Sequence, residues 1–141
     1  MLLFMAVSGT DRAAAASCAK GSVSPAAEAA MLKLVNARRS NAGQAPVRIS
    51  TGLRKAGRRT SSAMARGAAF AHDSLRWARG RGAAQNLAMA PRTRAAFAAM
   101  MGSADHRRNL LGSRFTRIGV GAARDCNGLT YYTINLLATR R

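Results

Sequence analysis

The sequence predicts an α+β chain built as a three-layer α/β/α sandwich around a small antiparallel sheet, and three observations carry that prediction. Two apolar runs near the C-terminus, Phe115–Ala123 and Leu129–Ala138, are joined through Asp125-Cys126-Asn127-Gly128, and Asn-Gly is a strong hairpin signal. The second run sets Leu129, Tyr131 and Leu137 on one side and Tyr132, Ile134, Leu136 and Ala138 on the other, so its sheet must be covered on both faces. Upstream, apolar residues recur at helical spacing between helix start and stop signals, which supplies the covering layers. A length of 141 residues allows one domain, and with 48% hydrophobic but only 5% aromatic residues its core must be filled by Ala, Leu, Met and Val.

Met1 to Val7 is apolar and Ala13 to Ala16 offers a small-residue cleavage site, but no positive charge precedes the run and Asp11-Arg12 interrupts it. The segment reads as the tail of a signal peptide, with cleavage near Ala16 leaving a mature chain that opens at Ser17-Cys18. Residues 1–23 are therefore assigned to an export-leader-like or disordered segment and 24–141 to the folded domain. Ser24 as N-cap and Pro25 at the first helical position start a helix, in which Met31, Leu34 and Val35 are apolar, and Asn41 to Gly43 stops it. Ala45 to Ile49 is a short extended connection. Ser50 or Thr51 caps a second helix that runs to about Arg66 and ends at Gly67. Its inner face is expected to be Leu53, Ala56, Thr60, Ala63 and Met64, and its outer face carries Arg54, Lys55, Arg58 and Arg59. Leu75 to Gly82, with the single tryptophan, Trp77, reads as a loop too polar and glycine-rich to be core. Pro91 opens a third helix with the stripe Ala96, Phe97, Met100 and Met101, closed by Gly102. Ser103 caps a short helix that Gly112 ends, so His106 lies in its first turn, where a neutral imidazole can accept a hydrogen bond or bind a metal.

The net charge of +18 comes from 23 basic and 5 acidic side chains, with only three lysines among the basic ones. Such an excess implies affinity for polyanions, although an arginine-, alanine- and glycine-rich composition also suits the coding habits of a GC-rich genome. Cys18 and Cys126 are the only cysteines and form no CxxC, which argues against a thiolate zinc cluster or a thioredoxin-type site. In an exported chain the two would pair as one disulfide, stabilising the fold by roughly 4 to 5 kcal/mol in the chain-entropy model. No stretch is long and apolar enough to span a membrane.

Several segments together resemble a known family. Leu34 to Gly43 resembles "L-x-N-x-x-R-x-x-x-G", Phe70-Ala71-His72 resembles "F-S-H", and Gln85-Asn86-Leu87-Ala88 resembles "G-E-N-I-A". His106 to Leu111 with Phe115 to Gly121 resembles "H-R-x-N-I-L … F-x-x-I-G-V-G", and Tyr131 to Asn135 resembles "Y-x-T-Q-N". These are motifs of the CAP superfamily (cysteine-rich secretory, antigen 5 and pathogenesis-related 1 proteins), here in the form of a bacterial extracellular domain, and the resemblance runs from about Met31 to Leu137. It implies a CAP-like sandwich, an extracellular or cell-envelope location, and a cleft whose two histidines and two glutamates bind zinc or another divalent cation in some members. His72 and His106 stand at the histidine positions. Gln85 replaces one glutamate, and no Asp or Glu occurs between Asp73 and Asp105 to supply the other.

Two imidazoles and a neutral amide bring no anionic charge to offset a dication in so basic a protein, which argues for no cofactor, with His72 and His106 as the metal ligands in the alternative that zinc binds. The expected cleft comprises His72, Gln85, His106, Asn86 and Asn109 with no catalytic residue. The function read from this is a secreted, monomeric, non-catalytic binding or structural domain with a degenerate cleft. The alternatives are a hydrolase with His72 or His106 as general base, and a basic binder of anionic cell-envelope polymers or lipids. For the hydrolase, Ser61, Ser62, Ser74 and Ser103 are available nucleophiles but none lies in a G-x-S-x-G elbow. No specific nucleic-acid binding is expected, because basic residues are not interleaved with aromatics in any known motif.

Overall fold

The structure is a computed structural model, and it describes residues 19–139. The leader-like stretch and Cys18, the expected partner of Cys126, lie outside the described residues. Among the described residues, four α-helices, α1 (Pro25–Asn41), α2 (Thr51–Ala65), α3 (Thr93–Gly102) and α4 (Ala104–Leu111), accompany the strands β1 (Ser22–Val23), β2 (Arg48–Ile49), β3 (Ala83–Ala90), β4 (Phe115–Arg124) and β5 (Thr130–Ala138). The sheet order is β1-β4-β5-β3, and β2 runs parallel to β4 while the other pairs are antiparallel. Since β5 holds one side of β4, the short β1 and β2 share its other side, pairing at Ala123–Arg124 and Arg117–Ile118 respectively. The three-layer α+β sandwich is thus as the sequence predicts. Its sheet starts earlier than expected, because Ser22–Val23, assigned from sequence to the N-terminal segment, form an edge strand.

The first two helices start on their local signals, whereas α3 begins at Thr93, two residues beyond the Pro91 expected to open it, and Ser103 precedes α4 without a side-chain cap bond. Ser24 Oγ accepts from Ala27 N at 3.3 Å and Ser50 Oγ from Leu53 N at 3.4 Å, each capping an orphan N–H of its helix. Gly67 ends α2 in the left-handed region, φ +108°, and Gly128 takes φ +84° in the β4–β5 turn, where Asp125 Oδ1 accepts from Asn127 N and Leu129 N.

The two faces of the sheet are packed by different chemistry. Ile118, Val120 and Ala122 of β4, Tyr132, Ile134 and Leu136 of β5 and Ala84, Ala88 and Ala90 of β3 meet Met31 and Val35 of α1, Ala96 and Met100 of α3 and Leu110 of α4 in the main apolar core. The alternate residues, Gly119, Gly121, Thr133, Asn135 and Gln85, face α2. There the predicted inner face needs correction: Gly57, Ser61, Ser62 and Ala65 are buried with Leu53, Ala56 and Met64, whereas Thr60 and Ala63 are only half-buried. The helix lies so close that a Cβ on Gly119 would come 2.1 Å from the carbonyl carbon of Leu53, and one on Gly121 2.1 Å from that of Gly57. Small and polar residues replace apolar bulk here because two backbones touch. Ser61 Oγ donates to Gly121 O at 3.0 Å and shares a 2.7 Å bond with Thr133 Oγ1.

Two further expectations change. Arg58 is not a solvated outer-face charge: its Nε and Nη2 donate to Glu28 Oε1 and Oε2 at 2.8 and 2.7 Å, a bidentate pair joining α2 to α1. The 75–82 loop is not excluded from the core either, since Arg76–Ala78 forms a 3-10 turn and Ala78 is buried against Leu53 and Leu137, with Trp77 half-buried beside them.

Candidate functional site

Strand β3 organises the predicted site residues. Gln85 and Asn86 are neighbours on it, so their side chains leave opposite faces of the sheet. Both are buried, at 6% and 0% exposure, and each must therefore find partners for its amide.

Gln85 does so completely. Its Nε2 donates to Asp73 Oδ2 and to Asn135 Oδ1, both at 2.9 Å, while its Oε1 accepts from Asp73 N at 3.1 Å and faces His72 Nδ1 at 2.9 Å. The main-chain N–H of Asp73 only donates and its carboxylate only accepts, so the orientation of the Gln85 amide is fixed. His72 Nδ1 must then carry a proton. The neutral ring consequently directs its lone pair, on Nε2, away from the network, and His72 is exposed. Asn135 continues the chain of bonds by donating to Leu53 O at 3.1 Å.

Asp73 is the charged end of this relay. Oδ1 accepts from Leu75 N at 2.7 Å and Trp77 Nε1 at 3.1 Å, and Oδ2 accepts from Thr60 Oγ1 at 2.9 Å as well as from Gln85. Burial alone would push its carboxyl up. The hydrogen bonds from Leu75, Gln85, Thr60 and Trp77 together outweigh that and hold it below the usual carboxylate range. A group depressed in the folded state stabilises it above the unfolded pKa and loses that contribution as pH falls through the folded value, here at and below about pH 4. Guanidinium titrations at neutral and at acid pH are expected to show that Asp73→Asn is less stable than wild type at neutral pH, with the gap closing in acid. A gap of equal size at both pH values would contradict this.

The second group lies on the other face. Asn86 Nδ2 donates to the main-chain oxygen of His106 at 3.0 Å, and Asn109 Nδ2 donates to Asn86 Oδ1 at 2.9 Å, which fastens α4 to β3. His106 is the third residue of α4 and half-buried, and its ring has no hydrogen-bond partner among the described residues. His72 is thus held through its side chain and His106 through its main chain, by adjacent residues of one strand. Among the described residues, no group of three or more His, Cys, Asp or Glu side chains is arranged to hold a metal ion. The donors at His72 do not fit a divalent cation, since Gln85 Oε1 already accepts two hydrogen bonds and the Asp73 carboxylate four.

Neighbouring side chains in a regular element point apart. In the irregular stretch after Gly67 they converge instead, His72 on one end of the Gln85 amide and Asp73 on the other. Thr60, Trp77 and Asn135 were not anticipated as members. Only Asn135 carried a signal, as the last residue of the "Y-x-T-Q-N" resemblance.

An α/β/α sandwich whose edge strand offers one amide to an exposed histidine and the next to a histidine-bearing helix defines a recognisable class. The chain belongs to the cysteine-rich secretory protein (CAP) family, whose sequence model matches residues 32–136. The fold is similar to that of a cysteine-rich secretory protein from Staphylococcus aureus subsp. aureus Mu50, at 22% identity and TM-score 0.69, covering 82% of this chain and 39% of that one. It is also similar to an extracellular protein containing a SCP domain from Bacillus anthracis str. Ames, at 24% identity and TM-score 0.68, covering 81% and 41%. An outer surface protein from Borrelia burgdorferi shares the fold at 11% identity and TM-score 0.74, covering 82% and 95%. Identities this low establish the fold alone, and the chain spans about two-fifths of the first two proteins. No curated protein matches it. No helix among the described residues is long and apolar enough to cross a membrane.

Proposed function

We propose that this chain is an exported, non-catalytic CAP domain that binds its ligand without a metal, with His72 Nε2 as the hydrogen-bond acceptor offered to that ligand. One observation carries the reading: the Gln85 amide spends all four of its hydrogen bonds on Asp73, Asn135 and His72. The family's glutamate at this position would bring a second carboxylate to 2.9 Å from Asp73 Oδ2, so Asp73 and Gln85 suit each other as charge and neutral donor. A ring oriented in this way recognises a hydroxyl or amide donor. No nucleophile is tied to it by a hydrogen bond among the described residues, which supports binding over catalysis. Export is supported by the extracellular and outer-surface relatives, and the expected Cys18–Cys126 disulfide belongs to the same reading, since an oxidising compartment lets it persist.

Calorimetric titration of the metal-stripped domain with zinc tests this. No binding at micromolar zinc is expected for wild type, His72→Ala or His106→Ala. Micromolar binding by wild type that disappears in both variants would overturn the reading and favour a metal-dependent hydrolase.

A further inference from the structure

A second surface, which adjoins the site around Gln85 and shares Thr60, Asp73 and Trp77 with it, has the character of a binding site. One cleft of about 680 Å³ lies along β2 and the start of β4, and another of about 820 Å³ lies between α2 and the loop after Asp73. They share Ser50, Arg81 and Leu137, so the two clefts adjoin and together form one trough. Arg48 and Arg117 line one end, Arg81 stands at the junction, and Arg59, Arg76 and Arg79 line the other. Asp73 is the single carboxylate among the lining residues, and both its oxygens are already occupied by donors. Arg81 is anchored by an Nη2 bond to Ala138 O at 2.7 Å, yet its buried Nε has no partner.

From this we infer that the trough binds a linear phosphate-bridged polymer, one phosphate following another along the line of arginines. Three features select that ligand. Two adjoining concavities accommodate a chain that passes from one to the other and not a flat lipid surface. The planar fork of arginine pairs with the unesterified oxygens of a phosphate in two parallel bonds. The trough's charged side chains are donors with no free acceptor, which suits an acceptor-only phosphate backbone better than a hydroxyl-rich carboxylate polymer. Bases are not needed: Trp77 is the one aromatic ring in the trough, it is half-buried, and its indole N–H is committed to Asp73, so no stacking platform accompanies the charge.

The test uses the full chain, linear polyphosphate of about ten units, and Trp77, the single tryptophan, as the fluorescent reporter. Three double variants each remove four units from the net charge of +18: Arg76→Glu with Arg79→Glu, Arg48→Glu with Arg117→Glu, and, away from the trough, Arg92→Glu with Arg94→Glu. All six positions are exposed, and thermal melts verify folding. Each trough pair is expected to weaken binding about tenfold or more at physiological salt and to make its salt dependence shallower, with the control pair changing it less than about threefold. The zinc titration reads His72 and His106, neither of which lines the trough, so the two results stand or fall separately. Equal losses in all three pairs would mean diffuse charge and overturn the inference. So would an oligodeoxynucleotide or a uronate oligomer of equal charge that binds about tenfold more tightly than polyphosphate.

Discussion

Gly121→Ala is expected to destabilise the domain by at least ~3 kcal/mol, a large share of the roughly 5–15 kcal/mol that keeps a domain folded. The added Cβ would sit 2.1 Å from the carbonyl carbon of Gly57 and 2.3 Å from Arg58 N. These are helix backbone atoms, so no side chain can rotate away, and α2 would have to lift from the sheet. Lifting it would break the bond from Ser61 to Gly121 O and the contact of Ser61 with Thr133, and would pull Leu53 O from Asn135, which holds Gln85 in place. A core substitution would thereby disturb the candidate site. Gly102→Ala is the control, since its Cβ would meet nothing within 4 Å and alanine favours the helix. Guanidinium unfolding of the two variants decides the matter: a Gly121→Ala loss below about 1 kcal/mol would show that the two backbones can separate cheaply.

The other large effect is expected at Arg39, which is 1% exposed and has no carboxylate partner among the described residues. Its guanidinium donates instead to four main-chain oxygens: Nε to Ala45 at 2.8 Å, Nη1 to Leu110 at 2.8 Å and Gly112 at 3.0 Å, and Nη2 to Phe115 at 3.3 Å. Leu110 and Gly112 lie at the C-terminal end of α4, where unsatisfied carbonyls carry partial negative charge, so the cation sits where a helix favours one. Burial lowers its pKa, but arginine stays charged in proteins. One side chain thus ties the end of α1 to the end of α4 and the start of β4. Replacing a buried ion pair by apolar residues can be neutral, because both charges leave together. At Arg39 the acceptors are backbone and cannot leave, so Arg39→Met should cost about 3–5 kcal/mol even though it keeps much of the volume. Arg39→Lys should recover part of that loss. Denaturant unfolding that places Arg39→Met within about 1 kcal/mol of wild type would refute this account.

What was legible in the sequence was what is local. Ser24-Pro25, Ser50, Asn127-Gly128 and the two-sided apolar run of β5 each act within a few residues, and each appears in the fold where the pattern put it. The family motifs were legible as patterns while their physical meaning was not. Asn36 exchanges bonds with Val47, Arg39 clips three segments together, and Gly119 and Gly121 admit a helix backbone, all through partners distant in sequence. The site divides in the same way. His72 and Gln85 could be named from the resemblance, but Asp73, Thr60 and Trp77 join them only because an irregular loop folds back on α2 and β3. Two strained residues bracket the 3-10 turn that carries Trp77: Leu75 at φ 52° and Arg79 at φ 48°, conformations that composition alone does not announce.

Gln85, oriented by Asp73, fixes the tautomer of His72 and takes its Nδ1 out of play, which leaves Nε2 as the ring's hydrogen-bond acceptor. Long-range nitrogen-15 NMR of the imidazole, recorded at neutral or higher pH with and without zinc, tests it most directly. A protonated Nδ1 and an unprotonated Nε2 are expected in the neutral ring, with a reversal or mixture of the two in Gln85→Ala and no movement of either resonance with stoichiometric zinc. A wild-type ring protonated at Nε2, or a resonance that moves on adding one equivalent of the metal, would contradict it.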